Sequence, residues 1–556
     1  GSQLYGQNWT TAQFAARFAP TAQTVEQVRA WLARSGLRVG EVSSNGHFVA
    51  ATGSVRQLEA AFHTTLGIYR HPSGARLTAP ASAVEVPRRL RASVTAVVGL
   101  DDSGRLVRPA HDLSRLRPAA QAAQDGQFCA RFWAEFNNAA VPQKYPAGSQ
   151  SNVMCGYTAP VVRGIYGQTN ANTGAGQQVA ITGSYNLTSA EADTNRWATQ
   201  SGASPLQAGQ YQVVAPPGGY RDNPNCDGPA AWAAEQAMDL QAVHTMASAA
   251  MVTWYAGADC TDNYNALNRA VAENKASIIS NSWGAPGENI VPAAVRDQVG
   301  AILVQAAIQG QSVLFASGDT GDTTGTAGRG TPQFPASHPW ATAVGGTSVA
   351  VGSDNRIVFA TGWETSGNTL VNGAWQPQQD ADGPFAGGAT GGRSSIYAAP
   401  SYQRGVVPDS YAQGKRTVPD ISALADPYTG MVIGVSTSSG FYFGPGGGTS
   451  LASPLLAGML ANAQQAKGGN RLGFLNGALY ALRTNSSAIV DMTPHAAGMW
   501  TSAMGSFGGV STPTEPGDYL LDLDAKPQSL QSGPGWDPVT GVGTPGTGFV
   551  SAIARR

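Results

Sequence analysis

Apolar and polar positions divide the chain into two rhythms. Over the first hundred residues, Val25, Val28, Trp31 and Leu32 recur at helical spacing, which predicts a helix from Thr21 to Ser35. Strands are predicted at Leu37 to Ser43 and His47 to Thr52, with Asn45-Gly46 turning the chain between them. Ser54-Val55-Arg56-Gln57 has the capping-box pattern ahead of Leu58, Ala61 and Phe62, so another helix starts there. Val94 to Leu100 reads as a closing strand. From Val179 the rhythm changes. Short apolar runs at 179–181, 251–255, 276–280 and 312–316 alternate with helical stretches near 189–201, 230–248, 263–274 and 292–309. This alternation predicts an α/β body with a mostly parallel sheet and helices on both faces, its site gathered at the carboxyl ends of the strands. The expected division is a small α+β domain over 1–100, a linker over 101–127 and the α/β body over 128–556. The linker is rich in Arg, Ala and Gln and reads as exposed and open to processing. Residues 350–445 are read only as further strands and loops.

Length and charge sharpen this division. A chain of 556 residues exceeds one ordinary domain, and 69 glycines with 12% charged residues suit a loop-rich, largely buried body. Residues 1 to 120 carry 14 Arg or Lys and 7 Asp or Glu, the remainder 20 and 28, so a segment of +7 precedes a body of −8. Opposite charge suits an intramolecular partner. No Lys/Arg stripe with interleaved aromatics is present, which argues against nucleic acid, and no run of 18 apolar residues suggests a membrane span. Cys129, Cys155, Cys226 and Cys260 lack the CxxC spacing of a zinc site and point to disulfides in an oxidising compartment. Three pairings are open; neighbourhood favours Cys129 with Cys155 and Cys226 with Cys260. The expectation is a secreted, extracellular monomer whose signal has been removed.

Three stretches carry chemistry. In Gly446-Gly447-Gly448-Thr449-Ser450-Leu451-Ala452-Ser453-Pro454, the glycines let a substrate main chain come close, and Leu455, Leu456, Met459, Leu460 and Ala463 mark a buried helix. Ser450 then lies on its first turn, where free amides favour developing negative charge. Glu235 and Asp239 stand four apart among small and apolar neighbours, on one helix face. Two acids there are best understood as sharing a proton, which couples their titrations and raises one pKa. In Phe315-Ala316-Ser317-Gly318-Asp319-Thr320-Gly321-Asp322, Asp319 follows a strand end; protonated, it could donate to a tetrahedral oxyanion. His244 lies far around the helix from the two acids, and His338 and His495 have no nucleophile-like setting. An acid is therefore the leading candidate for the base.

Taken in order, Glu235-xxx-Asp239, Ser317-Gly318-Asp319 and Gly448-Thr449-Ser450-xxx-Pro454 resemble the motifs of the sedolisin (serine-carboxyl peptidase) family. Phe14-Ala15-Ala16-Arg17-Phe18-Ala19-Pro20 through Gly99-Leu100-Asp101 resembles that family's activation prodomain. The resemblance implies a subtilisin-like catalytic domain behind a ferredoxin-like prodomain that inhibits and helps fold it. It implies an acid-acting endopeptidase made as a zymogen, with Ser450 as nucleophile, Glu235 as base then acid, Asp239 as its partner and Asp319 as oxyanion donor. It also puts Ser282, Trp283 and Gly284 on a substrate-binding edge strand. One structural Ca2+ is implied at Asp491, Asp537 and the carbonyls of Met492, Gly533 and Gly535. Two other readings stay open. A Ser-His-Asp hydrolase would need His244, His338 or His495 beside Ser450. A non-enzymatic secreted, calcium-stabilised binding protein on the same fold would show no turnover.

Overall fold

The computed structural model describes residues 7–70, 76–102, 107–109, 117–118, 129–168, 171–223, 226–324, 330–378, 384–501, 518–525 and 528–556. In the N-terminal unit, helices Thr11–Phe18, Ala22–Arg34 and Val55–Phe62 begin at Thr10, Thr21 and Ser54, each of whose hydroxyls accepts an amide three residues on. The capping box anticipated at Ser54 and Gln57 is complete. The described strands pair as two hairpins, Arg38–Val42 with Val49–Thr52 and Leu66–Arg70 with Arg76–Pro80. Trp31, Leu32, Phe62 and Leu90 form the small core.

The closing strand expected at Val94 to Leu100 does not form. Leu100 is buried in this core and Val94 and Val97 pack against it, but the segment joins no ladder. Its apolar spacing records burial in this core rather than a pleat, and Gly99, at φ +89°, ends the extended course.

In the body, eight strands make one sheet. They are β1 (Gln178–Ser184), β2 (Tyr211–Val214), β3 (Met251–Gly257), β4 (Ile278–Asn281), β5 (Ser312–Ala316), β6 (Thr342–Val351), β7 (Ile357–Gly362) and β8 (Ile421–Leu424). They run in the order 2-3-1-4-5-6-7, with β8 also on β6; every pairing is parallel except β6 with β7. Four helices matter most: α1 (Gly228–Met246), α2 (Asn263–Glu273), α3 (Ala293–Ile308) and α4 (Thr449–Ala466). β1, β4 and β5 are buried almost throughout, as expected of strands covered on both faces. α1 and α4 are apolar nearly all round and lie packed together in the larger apolar cluster. The disulfides Cys129–Cys155 and Cys226–Cys260 are formed as neighbourhood favoured.

Several contacts among the described residues join the N-terminal segment to the body. Trp9 N donates to Ile308 O at 3.0 Å. Asn45, in the turn foreseen between two strands, is buried and donates to Asn268 Oδ1 at 2.9 Å and Gln305 Oε1 at 3.1 Å. Further on, Arg108–Pro109 pairs antiparallel with Trp283–Gly284, and Arg117–Pro118 with Tyr442 and Phe443.

Candidate active site

The site lies where the ends of β4 and β5 meet the first turn of α4 and the middle of α1. Gly448, at φ +104°, turns the chain into α4, a conformation that suits glycine. Gly447 lies so close to the main chain of Ala425 and Pro427 that a Cβ would stand 2.4 Å from Ala425 O. These two glycines set Ser450 on the helix's opening turn, fully buried. Its hydroxyl donates to Ser282 O at 3.3 Å, and the Ser282 hydroxyl reaches back to Ser450 O at the same distance. The Glu235 carboxyl interacts with the side chains of Ser450, Asp239 and Ser282. Asp239 Oδ1 accepts the Ser282 hydroxyl at 2.7 Å. A single polar chain thus runs from the serine into α1.

Burial dominates the electrostatics. Glu235 and Asp239 are both essentially inaccessible, and burial pushes each carboxyl well above its ordinary range. For Asp239, the neighbouring Glu235 charge adds to that rise. Two carboxyls so placed hold one proton between them near neutrality. On the opposite side, Asp319 Oδ1 accepts both the amide and the hydroxyl of Thr449 at 2.7 Å, while Thr449 Oγ1 accepts Gly318 N at 2.9 Å. Thr449 therefore fixes the Asp319 carboxyl beside the amides that open α4. The arrangement offers a hydroxyl nucleophile, a proton-holding acid pair behind it and a carboxyl beside the helix terminus.

An N-terminal activation domain over residues 1–103 (Pro-kumamolisin, activation domain) and a Subtilase family domain over 228–497 both match family models. Kumamolisin of Bacillus sp. (strain MN-32) is 29% identical over 96% of this chain and 83% of its own length. Sedolisin of Pseudomonas sp. (strain 101) is 28% identical over 100% of this chain and 83% of its own. The solved structure of Pseudomonas sedolisin, a serine-carboxyl proteinase complexed with two molecules of pseudo-iodotyrostatin, superposes with a TM-score of 0.55 at 25% identity, covering 72% of this chain and 97% of that one. The chain belongs to the sedolisin family.

Within this sedolisin-family fold, Ser450, Glu235 and Asp239 lie together, and Asp319 is bonded to Thr449, the residue before Ser450. Ser282 was expected for its main chain, yet its hydroxyl also ties Asp239 to Ser450. Thr449 was not singled out at all; a threonine next to a nucleophile carries no local signal, and only the approach of β5 to α4 reveals its part. Trp283 is buried, its indole donating to Thr182 O at 3.0 Å and its ring edge-on to Phe315, while its main chain forms the edge that Pro109 meets.

None of the three candidate histidines serves Ser450. His244 Nε2 is 2.6 Å from Ser204 O, and burial lowers its pKa. His338 Nδ1 accepts Trp340 N at 3.2 Å, and burial takes it down to about 4. His495 stacks on Phe359, centroids 4.0 Å apart. Among the described residues the Ser-His-Asp arrangement is therefore not built.

The two segments that carry the candidate metal residues, 491–492 and 533–537, are linked by one hydrogen bond. Asp491 Oδ2 accepts Gly535 N at 2.9 Å, and Asp537 Oδ1 accepts the amides of Val539 and Thr540 at 2.8 Å. Burial raises the Asp537 carboxyl to about 7, so it is a desolvated group that a hard cation would ionise. Among the described residues no cluster of three or more His, Cys, Asp or Glu side chains offers a metal site, so an ion here would depend on main-chain carbonyls. No helix among the described residues is long and apolar enough to cross a membrane.

Proposed function

We propose that this chain is the zymogen of an acid-acting, secreted serine-carboxyl endopeptidase, monomeric and braced by one Ca2+ at Asp491, Asp537 and the carbonyls of Met492, Gly533 and Gly535. The observation that carries the reading is the buried chain Ser450, Glu235, Asp239 and Ser282, joined by none of the described histidines. Glu235 takes the proton of the Ser450 hydroxyl as Oγ attacks the scissile carbonyl. The carbonyl pair moves onto oxygen, where the protonated Asp319 donates a hydrogen bond. Collapse expels the amine, which receives the proton from Glu235 and leaves an acyl-enzyme. Water then repeats the sequence, its proton passing through Glu235 and back to Ser450.

Asp239 and Ser282 hold Glu235 in place and share its proton. Because Asp319 must be protonated and Glu235 must still accept, the pH profile is a bell on the acid side. The disulfides suit an oxidising compartment. Ca2+, when bound, supplies charge that keeps Asp537 ionised and the loop closed.

The test is cleavage of a denatured protein substrate after acidification from pH 7 to pH 4, with Ser450→Ala alongside. Turnover at pH 4 that vanishes in the variant is expected. Equal turnover at pH 8 and pH 4 would sink the acid mechanism, and silence of the wild type would favour the binding-protein reading.

A further inference from the structure

The segment leaving the N-terminal unit lies along the site. Val107 is buried in the same apolar cluster as Cys226 and Trp232. Arg108 then stands opposite Gly284 and Pro109 opposite Trp283. The Arg108 Nε meets Asp227 Oδ2 at 2.7 Å, with the two side chains 41% and 39% exposed. Asp227 precedes α1 in a left-handed conformation, φ 58°, and its side chain does not cap that helix. Its neighbour Cys226 is bonded to Cys260, so the carboxylate is presented from a stapled loop.

The ladder also sets a register. Moving from Arg108 to Pro109 leads from Gly284 to Trp283 and so toward Ser282, whose carbonyl accepts the Ser450 hydroxyl. A peptide laid on this edge in the same way brings the carbonyl after the residue facing Trp283 to Ser450. The residue facing Gly284 is then third before the bond to be cut. There its side chain meets Asp227.

We propose that Asp227 is a specificity-determining residue that selects a basic side chain at the third position before the scissile bond. The assignment rests on the peptidase reading above. A partly exposed ion pair supports a preference of about two- to fivefold in kcat/KM, weakened by salt.

The experiment compares quenched fluorescent peptides containing Val-Arg-Pro-Ala, Val-Gln-Pro-Ala or Val-Glu-Pro-Ala before one common leaving segment, on enzyme activated at acid pH. The wild type is expected to favour the arginine peptide by that factor. The ratio should fall to about one in Asp227→Asn and in 1 M NaCl, and turn toward the glutamate peptide in Asp227→Lys. Each ratio is measured on one enzyme preparation, so partial misfolding of a variant cancels. Turnover with the same ratio in wild type and both variants overturns the assignment alone. No turnover of any peptide by the wild type overturns the peptidase reading and the assignment with it.

Discussion

Glu235 and Asp239 show how much a single residue's setting decides. Each would be ionised in the unfolded chain at pH 7, yet burial raises both in the folded protein. The native state therefore holds protons that the unfolded state has lost. By linkage, stability from this pair is complete below the ordinary carboxyl range and is lost as pH rises toward the raised folded values. Each unit of displacement is worth about 1.4 kcal/mol. Thermal melts of the Ser450→Ala protein, which cannot digest itself, should show Tm falling from pH 4 to pH 8, with a shallower fall in Asp239→Asn. Buried His244 and His338, with lowered pKa values, act in the opposite sense over part of that window, so the pair is read from the difference: a fall no shallower in Asp239→Asn than in its parent would contradict it. Asp319→Ala is expected to lower kcat about 10²- to 10³-fold with little change in KM, read from initial rates at pH 4. These acids were legible because charged residues among alanines and glycines stand out. Ser282 and Thr449 were not, since one hydroxyl among many is marked only by what the fold brings near it.

At the scale of elements, the loop Gly446-Gly447-Gly448 and α4 act as one device. Thr449 bonds both Asp319 and Gly318, so it links β5 to the nucleophile's helix. Thr449→Val keeps the shape but leaves those partners short, at a cost of about 1–3 kcal/mol. The expected outcome is a folded protein, by circular dichroism, with kcat reduced at least tenfold; an unchanged kcat would remove Thr449 from the mechanism. Gly447→Ala is harsher, because the new methyl meets main chain that cannot give way. Strands such as β4 and β5 were legible as continuous apolar runs. β6 was not, because Thr342-Ala343-Val344-Gly345-Gly346-Thr347 is small and half polar, and it is buried because its neighbours pack closely against it. The segment 94–100 failed the other way: an apolar run marks burial, but pairing needs a partner edge.

At the scale of the molecule, the opposed charges of the two segments suit an intramolecular partnership. The structure puts neutral groups at the junction beside charged ones. Asn45 meets Asn268 and Gln305 through neutral amides, and the Trp9 contact is between main-chain groups. Neutral amides do not titrate between pH 7 and pH 4, so acid acts at the junction only on its charged contacts, Glu41 with Arg269 and the partly exposed Arg108–Asp227 pair. The trigger is better placed in the site itself, across which Arg108–Pro109 already lies in the register of a substrate. Once acid makes the carboxyl site competent, the register of Arg108 on Gly284 and Pro109 on Trp283, continued by one residue along the sequence, predicts a first cut after Ala110. Intact mass after brief acidification should therefore show a first cut between Ala110 and His111, at a rate independent of protein concentration and absent in Ser450→Ala. Asn45→Ala should leave that first cut in place and speed loss of the freed N-terminal fragment on a sizing column. A rate that rises with concentration would mean that one molecule cuts another, and the segment along Trp283–Gly284 would then be a plug rather than the first substrate.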